Sequence, residues 1–315
     1  MKAPFRIVSY NVRYFGHALR GVASTTKSKQ AIAAGLAALR PLPDVVCLQE
    51  VETVSLRSTL AHRRAHDGET QLEAFMARVE AEFAAAGATC PYDALYFRAD
   101  AYRLARLPVY TTGLAILVNR ERFAIESHNA DDPHGITHHH VTLFRTGKQL
   151  RICAHVALRD GYDRRLHVFN THLSLPTPFA SDFWARSDKM GWGPNQLHEA
   201  RALAQFARRH ADAEPFVVVG DFNTAPFSPV FEYLTSELGF ENALYALGEL
   251  DLDDASAFPT AGFMRLRMHL DHLFAGGGVR WVDVEGTRRF GDRSSPFHGL
   301  SDHVPLIASF ALPGK

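Results

Sequence analysis

Short, almost unbroken apolar runs recur along the chain, and several of them end abruptly on a polar side chain. Residues 215–219 read Pro-Phe-Val-Val-Val, and three consecutive β-branched valines suit a strand covered on both faces. Asp221 and Asn223 sit where that strand emerges. Residues 45–50 repeat the pattern and end on the Glu50 carboxylate, and residues 166–172 end on the His172 imidazole. A further run at 304–308 is entered through Asp302 and His303. Polar groups at the ends of core strands are how rigid scaffolds hold catalytic side chains.

The periodicity predicts a strand at 5–12, a helix at 29–39, a strand at 45–51 and a helix at 70–86. In the second helix Leu72, Phe75, Met76, Val79 and Phe83 form one apolar stripe, read as core packing. Strand patterns then follow at 93–97, 113–119, 123–127, 141–145, 150–158 and 166–173, separated by turn residues such as Asp160-Gly161. Helices are predicted at 195–210 and 229–238, with strands at 269–274, 279–284 and 304–310. Many strands joined by short turns, bracketed by helices, fit a two-sheet sandwich with helices on its outer faces. No linker interrupts the 315 residues, so a single domain over 1–315 is expected.

Composition narrows the picture modestly. With 46% hydrophobic and 22% charged residues the chain can build a large core. Lys plus Arg and Asp plus Glu both number 34, so no global positive field draws in a polyanion. Cys47, Cys90 and Cys153, an odd count in or near apolar segments, read as buried thiols in a reducing compartment. No secretory leader and no stretch of 18 apolar residues is visible, so a cytoplasmic protein without a membrane span is expected.

Glu50 is the strongest candidate metal ligand, because a carboxylate directly after an apolar run is costly to bury without a cation or a donor. Asn11 ends the first strand in the equivalent place and offers a neutral oxygen. An oxygen-rich, water-retaining set favours Mg²⁺ or Mn²⁺ over zinc. Asp221 and Asn223, two residues apart, would point to one face if the segment stays extended.

Taken in order, SYNVR (9–13), LQEV (48–51), FNTHL (169–173), GDFNT (220–224), LDHLF (270–274) and SDH (301–303) resemble the motif series of the endonuclease/exonuclease/phosphatase superfamily. Its members include DNase I, abasic-site endonucleases, neutral sphingomyelinases, inositol polyphosphate 5-phosphatases and deadenylase nuclease domains. The resemblance implies a four-layer α/β/β/α sandwich of two mixed β-sheets, with the site at one edge where the motif loops meet. It implies that Asp221 orients or deprotonates the attacking water and that Asn223 contacts phosphate or metal. By the same resemblance His303 faces the phosphate, Asp271 fixes its tautomer, Asp302 joins Asn11 and Glu50 at the metal, and His172 donates to a phosphate oxygen or the leaving group. Abasic-site enzymes commonly carry a tyrosine motif where this chain has Thr171-His172-Leu173, which argues against that branch.

The expectation is therefore a divalent-metal-dependent phosphodiesterase acting on a phosphodiester substrate, with nucleic acid ahead of phospholipid (sphingomyelinase-like), small-nucleotide or inositol-phosphate substrates. A catalytically silent binding module is the rival class, and the intact acid, amide and imidazole series argues against it. Three other clusters stand out. His134, His138, His139 and His140 read as a solvated loop or strand edge rather than a zinc site. His62 and His66, with two arginines between them, read as exposed surface. The aromatic-rich segment 176–194, including Trp184 and Trp192, should hang over the site and stack bases, enter a lipid interface or pack on itself.

Overall fold

The computed structural model describes residues 3–15, 26–52, 71–99, 102–104, 107–110, 112–137, 150–176, 190–250, 258–263, 266–285 and 289–314. From the N-terminus, strands β1 (Phe5–Asn11), β2 (Val45–Glu52) and β3 (Tyr92–Arg98) are followed by a ribbon of β4 (Tyr102–Leu104) and β5 (Leu107–Tyr110). Next come β6 (Thr112–Asn119), β7 (Phe123–His128), β8 (His134–Gly135), β9 (Ile152–Asp160) and β10 (Arg165–His172). The remainder holds β11 (Phe216–Asp221), β12 (Glu241–Asn242), a ribbon of β13 (Ala261–Phe263) and β14 (Leu266–Met268), then β15 (Asp271–Gly276), β16 (Arg280–Val284) and β17 (Leu306–Ala311). Helices are α1 (Thr26–Ala37), α2 (Gln71–Ala85), α3 (Pro194–Ala211), α4 (Pro229–Glu232) and α5 (Ala243–Ala246).

Among the described residues the strands form two mixed sheets, ordered β16-β17-β1-β2-β6-β3 and β12-β15-β11-β10-β9-β7, with β8 added beside β9. Alternation along β1 explains the layering. Phe5 and Ile7 join the core shared with the second sheet, whereas Val8 and Tyr10 join the core beneath α1 and α2. Leu72, Phe75, Val79 and Phe83 of α2 are buried there, as the helical stripe predicts. All of β11 is buried, which is what its run of valines requires. Helix α3 starts with Pro194 in its first turn and ends with Arg208, Arg209 and His210, the charge arrangement favoured by the helix dipole.

A polar bridge ties the two sheets together directly beneath the strand ends. Gln49 Nε2 donates to Asn170 Oδ1 at 2.8 Å and to Ser9 Oγ at 3.1 Å. Asn170 Nδ2 donates back to the carbonyls of Leu48 and Ala115 at 3.0 and 3.1 Å. Glu50 and His172, one and two residues further on, are thereby held in register across the sandwich.

Most elements fall within two residues of their sequence-predicted bounds, the usual scatter at frayed ends. The strand expected at 141–145, the histidines 138–140, His62 and His66 lie outside the described residues. His134 lies on the short strand β8 at the margin of the second sheet, the strand-edge alternative of the expectation, and its ring stacks on Phe206 at 4.2 Å. The helix expected at 229–238 is an α-turn followed by a π-helical turn, Tyr233–Glu237. The three cysteines are buried and free. Among the described residues no helix is long and apolar enough to cross a membrane.

Candidate active site

Two groups of strand ends meet at one edge of the sandwich. In the first sheet β1 and β2 run parallel with Asn11 opposite Gln49. In the second sheet His172 lies opposite Asp221 and Asp221 opposite Asp271, which lines up the ends of β10 and β11 with the start of β15. Local irregularities finish the placement. The β2–β6 pairing slips between Leu48 and Val51, and Glu50 adopts a left-handed φ of 56°, so its carboxyl leaves the alternating pattern. Gly220, at φ 150°, lets β11 press against β10, because a Cβ there would lie 2.0 Å from the Thr171 carbonyl oxygen.

The contacts centre on one oxygen. Asp221 Oδ2 accepts from Asn11 Nδ2 at 3.0 Å and lies 3.4 Å from His172 Nε2 and 3.6 Å from His303 Nε2. Asn11 Nδ2 also reaches Glu50 Oε1 at 3.2 Å, and His172 Nε2 lies 4.0 Å from that oxygen. His303 Nδ1 pairs with Asp271 Oδ2 at 2.8 Å. The second oxygen of Asp271, Oδ1, is buried and finds no hydrogen-bond partner among the described residues. Ser301 Oγ donates to the Asn11 carbonyl at 2.7 Å and accepts from the His303 backbone N–H at 3.2 Å, pinning the Ser-Asp-His loop to β1.

Burial and neighbouring charges set the protonation states. Desolvation, aided by Asp302, pushes the Glu50 carboxyl upward. Desolvation and Asp271 push Asp221 up to about 7, with His303 opposing. Burial, together with the Arg151 and His303 charges, holds His172 well below the usual imidazole range, so its ring is neutral. Burial alone would lower His303, but Asp271, Asp221 and Asp302 outweigh it and raise it well above that range. The pocket thus pairs a neutral with a protonated imidazole around carboxyls that burial destabilises as anions.

The structure brings Asn11, Glu50, His172, Asp221, Asp271 and His303 together. Asp302 is also near enough to raise Glu50, but its carboxylate is engaged by Arg13. Asn11 bridges Glu50 and Asp221 through its nitrogen, while its oxygen accepts the Arg13 backbone N–H at 2.9 Å. Asn223 corrects the extended-strand expectation. Its φ is 48°, its N–H turns back to Asp221 Oδ1 at 2.9 Å, and its Nδ2 donates to the Leu173 carbonyl at 2.9 Å. A short polar side chain tolerates that left-handed turn, so Asn223 shapes the loop instead of sharing Asp221's face. Among the described residues, potential ligand atoms of Asp221, Asp271 and His303 lie within 4.8 Å of one another. Asp271 and Asp221 favour a proton on the His303 ring, and that proton competes with a cation for its nitrogen.

Sequence reasoning missed several residues. Arg151 lies along a shallow cleft with His172, and its charge is felt by both His172 and Glu50. Its Nε lies 3.4 Å from Ser174 Oγ, and Ser174 in turn donates its N–H and hydroxyl to buried Glu199 of α3, both at 2.8 Å. Thr260 Oγ1 accepts the N–H groups of Leu270 and Asp271 at 3.0 and 3.1 Å. His272 Nε2 donates to the Thr224 carbonyl at 2.7 Å and its Nδ1 lies 3.4 Å from Asn242 Nδ2, amid aromatic rings.

Comparison with known proteins settles the family. The model of the Endonuclease/Exonuclease/phosphatase family matches residues 8–303. The chain belongs to this family. Its members are hydrolases acting on phosphoester bonds. The human Nocturnin catalytic domain with bound sulfate is 17% identical, with a TM-score of 0.62 over 99% of this chain and 96% of that one. ANGEL2, a 2',3'-cyclic phosphatase in complex with adenosine-2',3'-vanadate, is 17% identical with a TM-score of 0.64 over 99% and 96%. A mannosyl-6-phosphatase of Bacteroides thetaiotaomicron is 14% identical with a TM-score of 0.59 over 98% and 100%. At these identities the likeness shows the DNase I-like fold that the family members share. No curated protein sequence matches the chain.

Proposed function

We propose that this family member is a divalent-metal-dependent phosphodiesterase, with nucleotide or nucleic-acid diesters ahead of phospholipid, inositol-phosphate or sugar-phosphate esters. The observation that carries the reading is the convergence of Asn11, His172 and His303 on Asp221 Oδ2, with the buried Glu50 beside them. A cation fits this pocket: Glu50 is pushed up by burial, and its oxygen-rich neighbours suit a hard ion. Glu50, the Asn11 oxygen and Asp302 would hold Mg²⁺ or Mn²⁺, with Asp302 exchanging its contact with Arg13 for the ion. When bound, the ion would supply Lewis-acid polarisation of a phosphoryl oxygen and offset developing charge.

The chain's own groups divide the remaining work. Asp221, titrating near neutrality, accepts the proton of the attacking water, and Asn11 Nδ2 fixes its orientation. Protonated His303, steadied by Asp271, faces the phosphate as a donor. Neutral His172 donates a ring N–H to a phosphate oxygen or the leaving group, and Asn223 holds the Asp221 loop in place. Nucleotides are favoured by the adenosine-2',3'-vanadate bound to ANGEL2; the mannosyl-6-phosphatase represents the alternative.

The test is turnover of methyl p-nitrophenyl phosphate with Mn²⁺, beside Mn²⁺ titration calorimetry. Glu50→Gln should lower turnover about 10³-fold, the several kcal/mol that a bound cation contributes, and weaken Mn²⁺ binding. Unchanged turnover and affinity would remove Glu50 from the site.

A further inference from the structure

Two large apolar side chains reach solvent beside the site: Leu175 is 44% exposed and Trp192 60% exposed. A single exposed apolar residue is ordinary on any surface. Trp192 is different because its backbone is fastened on both sides. Gln196 is fully buried, and its Oε1 accepts the N–H groups of Gly191 and Gly193 at 3.0 and 3.2 Å. Its Nε2 donates to the Asn223 carbonyl at 2.7 Å. Met190 packs against Ala261 and Leu270, and its carbonyl accepts the Ala225 N–H at 3.1 Å. Leu270 precedes Asp271, Ala261 bridges His303, and Asn223 Nδ2 holds the carbonyl that follows His172. The flanking glycines are part of the mount. A Cβ at Gly191, where φ is 87°, would lie 2.2 Å from Ser228 Oγ, and one at Gly193 would lie 2.6 Å from Asn195 Oδ1. An indole left in solvent thus stands on backbone continuous with the loops that carry His172, Asp221, Asp271 and His303.

We propose that Trp192 is a stacking platform for a nucleobase beside the scissile phosphate, which makes nucleotides the substrate class. The proposal rests on the phosphoesterase reading of the same site. Stacking of one base on an aromatic side chain strengthens binding by about ten-fold or more. A platform whose backbone is already fixed loses little further freedom when it is used. A lipid surface is the competing occupant, and it requires a broad apolar face. Among the described residues the large exposed apolar side chains are Tyr162, Leu175, Trp192, Tyr245 and Val282, and of these Leu175 and Trp192 flank the start of α3. The balance of 34 basic and 34 acidic residues adds no general attraction to an anionic membrane. Among the described residues these two side chains suffice for one planar ring and fall short of an insertion surface.

Two esters with the same scissile bond test this: adenosine 5'-(p-nitrophenyl phosphate) and methyl p-nitrophenyl phosphate, both with Mn²⁺. Trp192→Ala should lower the kcat/KM ratio of the nucleoside ester to the methyl ester about ten-fold or more, through KM, as loss of about 1.4 kcal/mol implies. Trp192→Phe, which keeps a ring, should retain most of the ratio. Calorimetry with AMP should show a parallel loss of affinity in Trp192→Ala. Wild-type turnover of the methyl ester reports separately on whether the site is a phosphoesterase at all. An unchanged ratio and unchanged AMP affinity would overturn the proposal. So would a loss confined to co-sedimentation with sphingomyelin vesicles, which would assign the indole to lipid.

Discussion

Strand β10 has a histidine near each end, and both lie close to a histidine–carboxylate pair. Near its start His167 Nε2 meets Glu214 Oε2 at 2.7 Å, and His167 Nδ1 meets His155 Nε2 at 2.9 Å. At its end His172 sits beside Asp221 and the His303–Asp271 pair, closed at 2.8 Å. The two pairs are nearly equal in length, and their surroundings differ. The Glu214 side chain is 41% exposed and also takes Arg165 at 3.1 Å. Hydrogen bonds from His167 and Arg165 hold its carboxyl below the usual range despite some desolvation. The Asp271 side chain is 0% exposed and keeps an oxygen unpartnered among the described residues, while Glu50 and Asp221 nearby are destabilised as anions. A histidine–carboxylate pair is therefore no mark of a site by itself. Buried carboxyls that converge beyond what their neighbours neutralise are the better mark.

The sharpest break of that comparison exchanges one carboxylate at each end. Asp271→Asn should lower phosphodiester turnover about 10- to 100-fold, the usual cost of losing a partner that orients a functional group. Glu214→Gln should leave turnover unchanged. Steady-state kinetics on methyl p-nitrophenyl phosphate read both, and equal losses would show that the far pair also serves the reaction.

The strand cores were legible because continuous β-branched runs have few alternatives to burial, and β11 shows it: residues 216–221 are all buried. The strand-end residues Asn11, Glu50, His172 and Asp221 were legible for the same reason. Backbone irregularity was not. The left-handed turns at Glu50 and Asn223 arise from a slipped pairing and from hydrogen bonds to distant carbonyls, and neither leaves a mark in spacing. Arg151 was hidden because its tie to Ser174 depends on how β9 pairs with β10. Gln196 and Glu199 look like the polar face of a solvated helix, yet both are fully buried. Density of histidine in the sequence drew attention to 134–140, whereas the buried pair, His155 and His167, meets only across a hairpin.

The far cluster makes its own prediction, about stability. Desolvation first, then the His167 and His210 charges, lower His155 from the ordinary 6.5 to about 3. An unfolded chain takes up a proton as pH falls through 6.5, and the folded chain does not until about 3. Its stabilising contribution is thus present above 6.5 and is lost as pH drops toward 3. His134 and His210 on the same face are also lowered and act in the same direction. His303 has the opposite sign, since its raised value favours the folded state at low pH. Integrated from pH 7 to 5, the His155 contribution falls by about 2 kcal/mol. Urea midpoints at the two pH values should show this loss reduced in His155→Gln, and an identical pH dependence in both proteins would exclude His155 as its source.

The smallest effect compares two arginines. Arg151 borders the site with its Nε 3.4 Å from Ser174 Oγ, whereas Arg165 spends its guanidinium on Glu126 and Glu214 at the far end. If Arg151 meets an anionic oxygen of the substrate, Arg151→Ala removes one charge-assisted contact, worth about 1.5–3 kcal/mol when well formed. Because its side chain is only partly buried, a loss near the lower bound is expected, about ten-fold in KM. Burial, the larger cause, still holds His172 neutral without that charge, so turnover should change less than KM. Arg151→Lys should recover part of the loss, since a point charge remains without the fork of donors. Arg165→Ala should leave KM where it is. Added salt should raise the wild-type KM more steeply than that of Arg151→Ala, because one fewer charge is left to screen. If the two alanine variants raise KM equally, the guanidinium beside His172 is not a substrate contact, and its closeness to the site is a matter of packing.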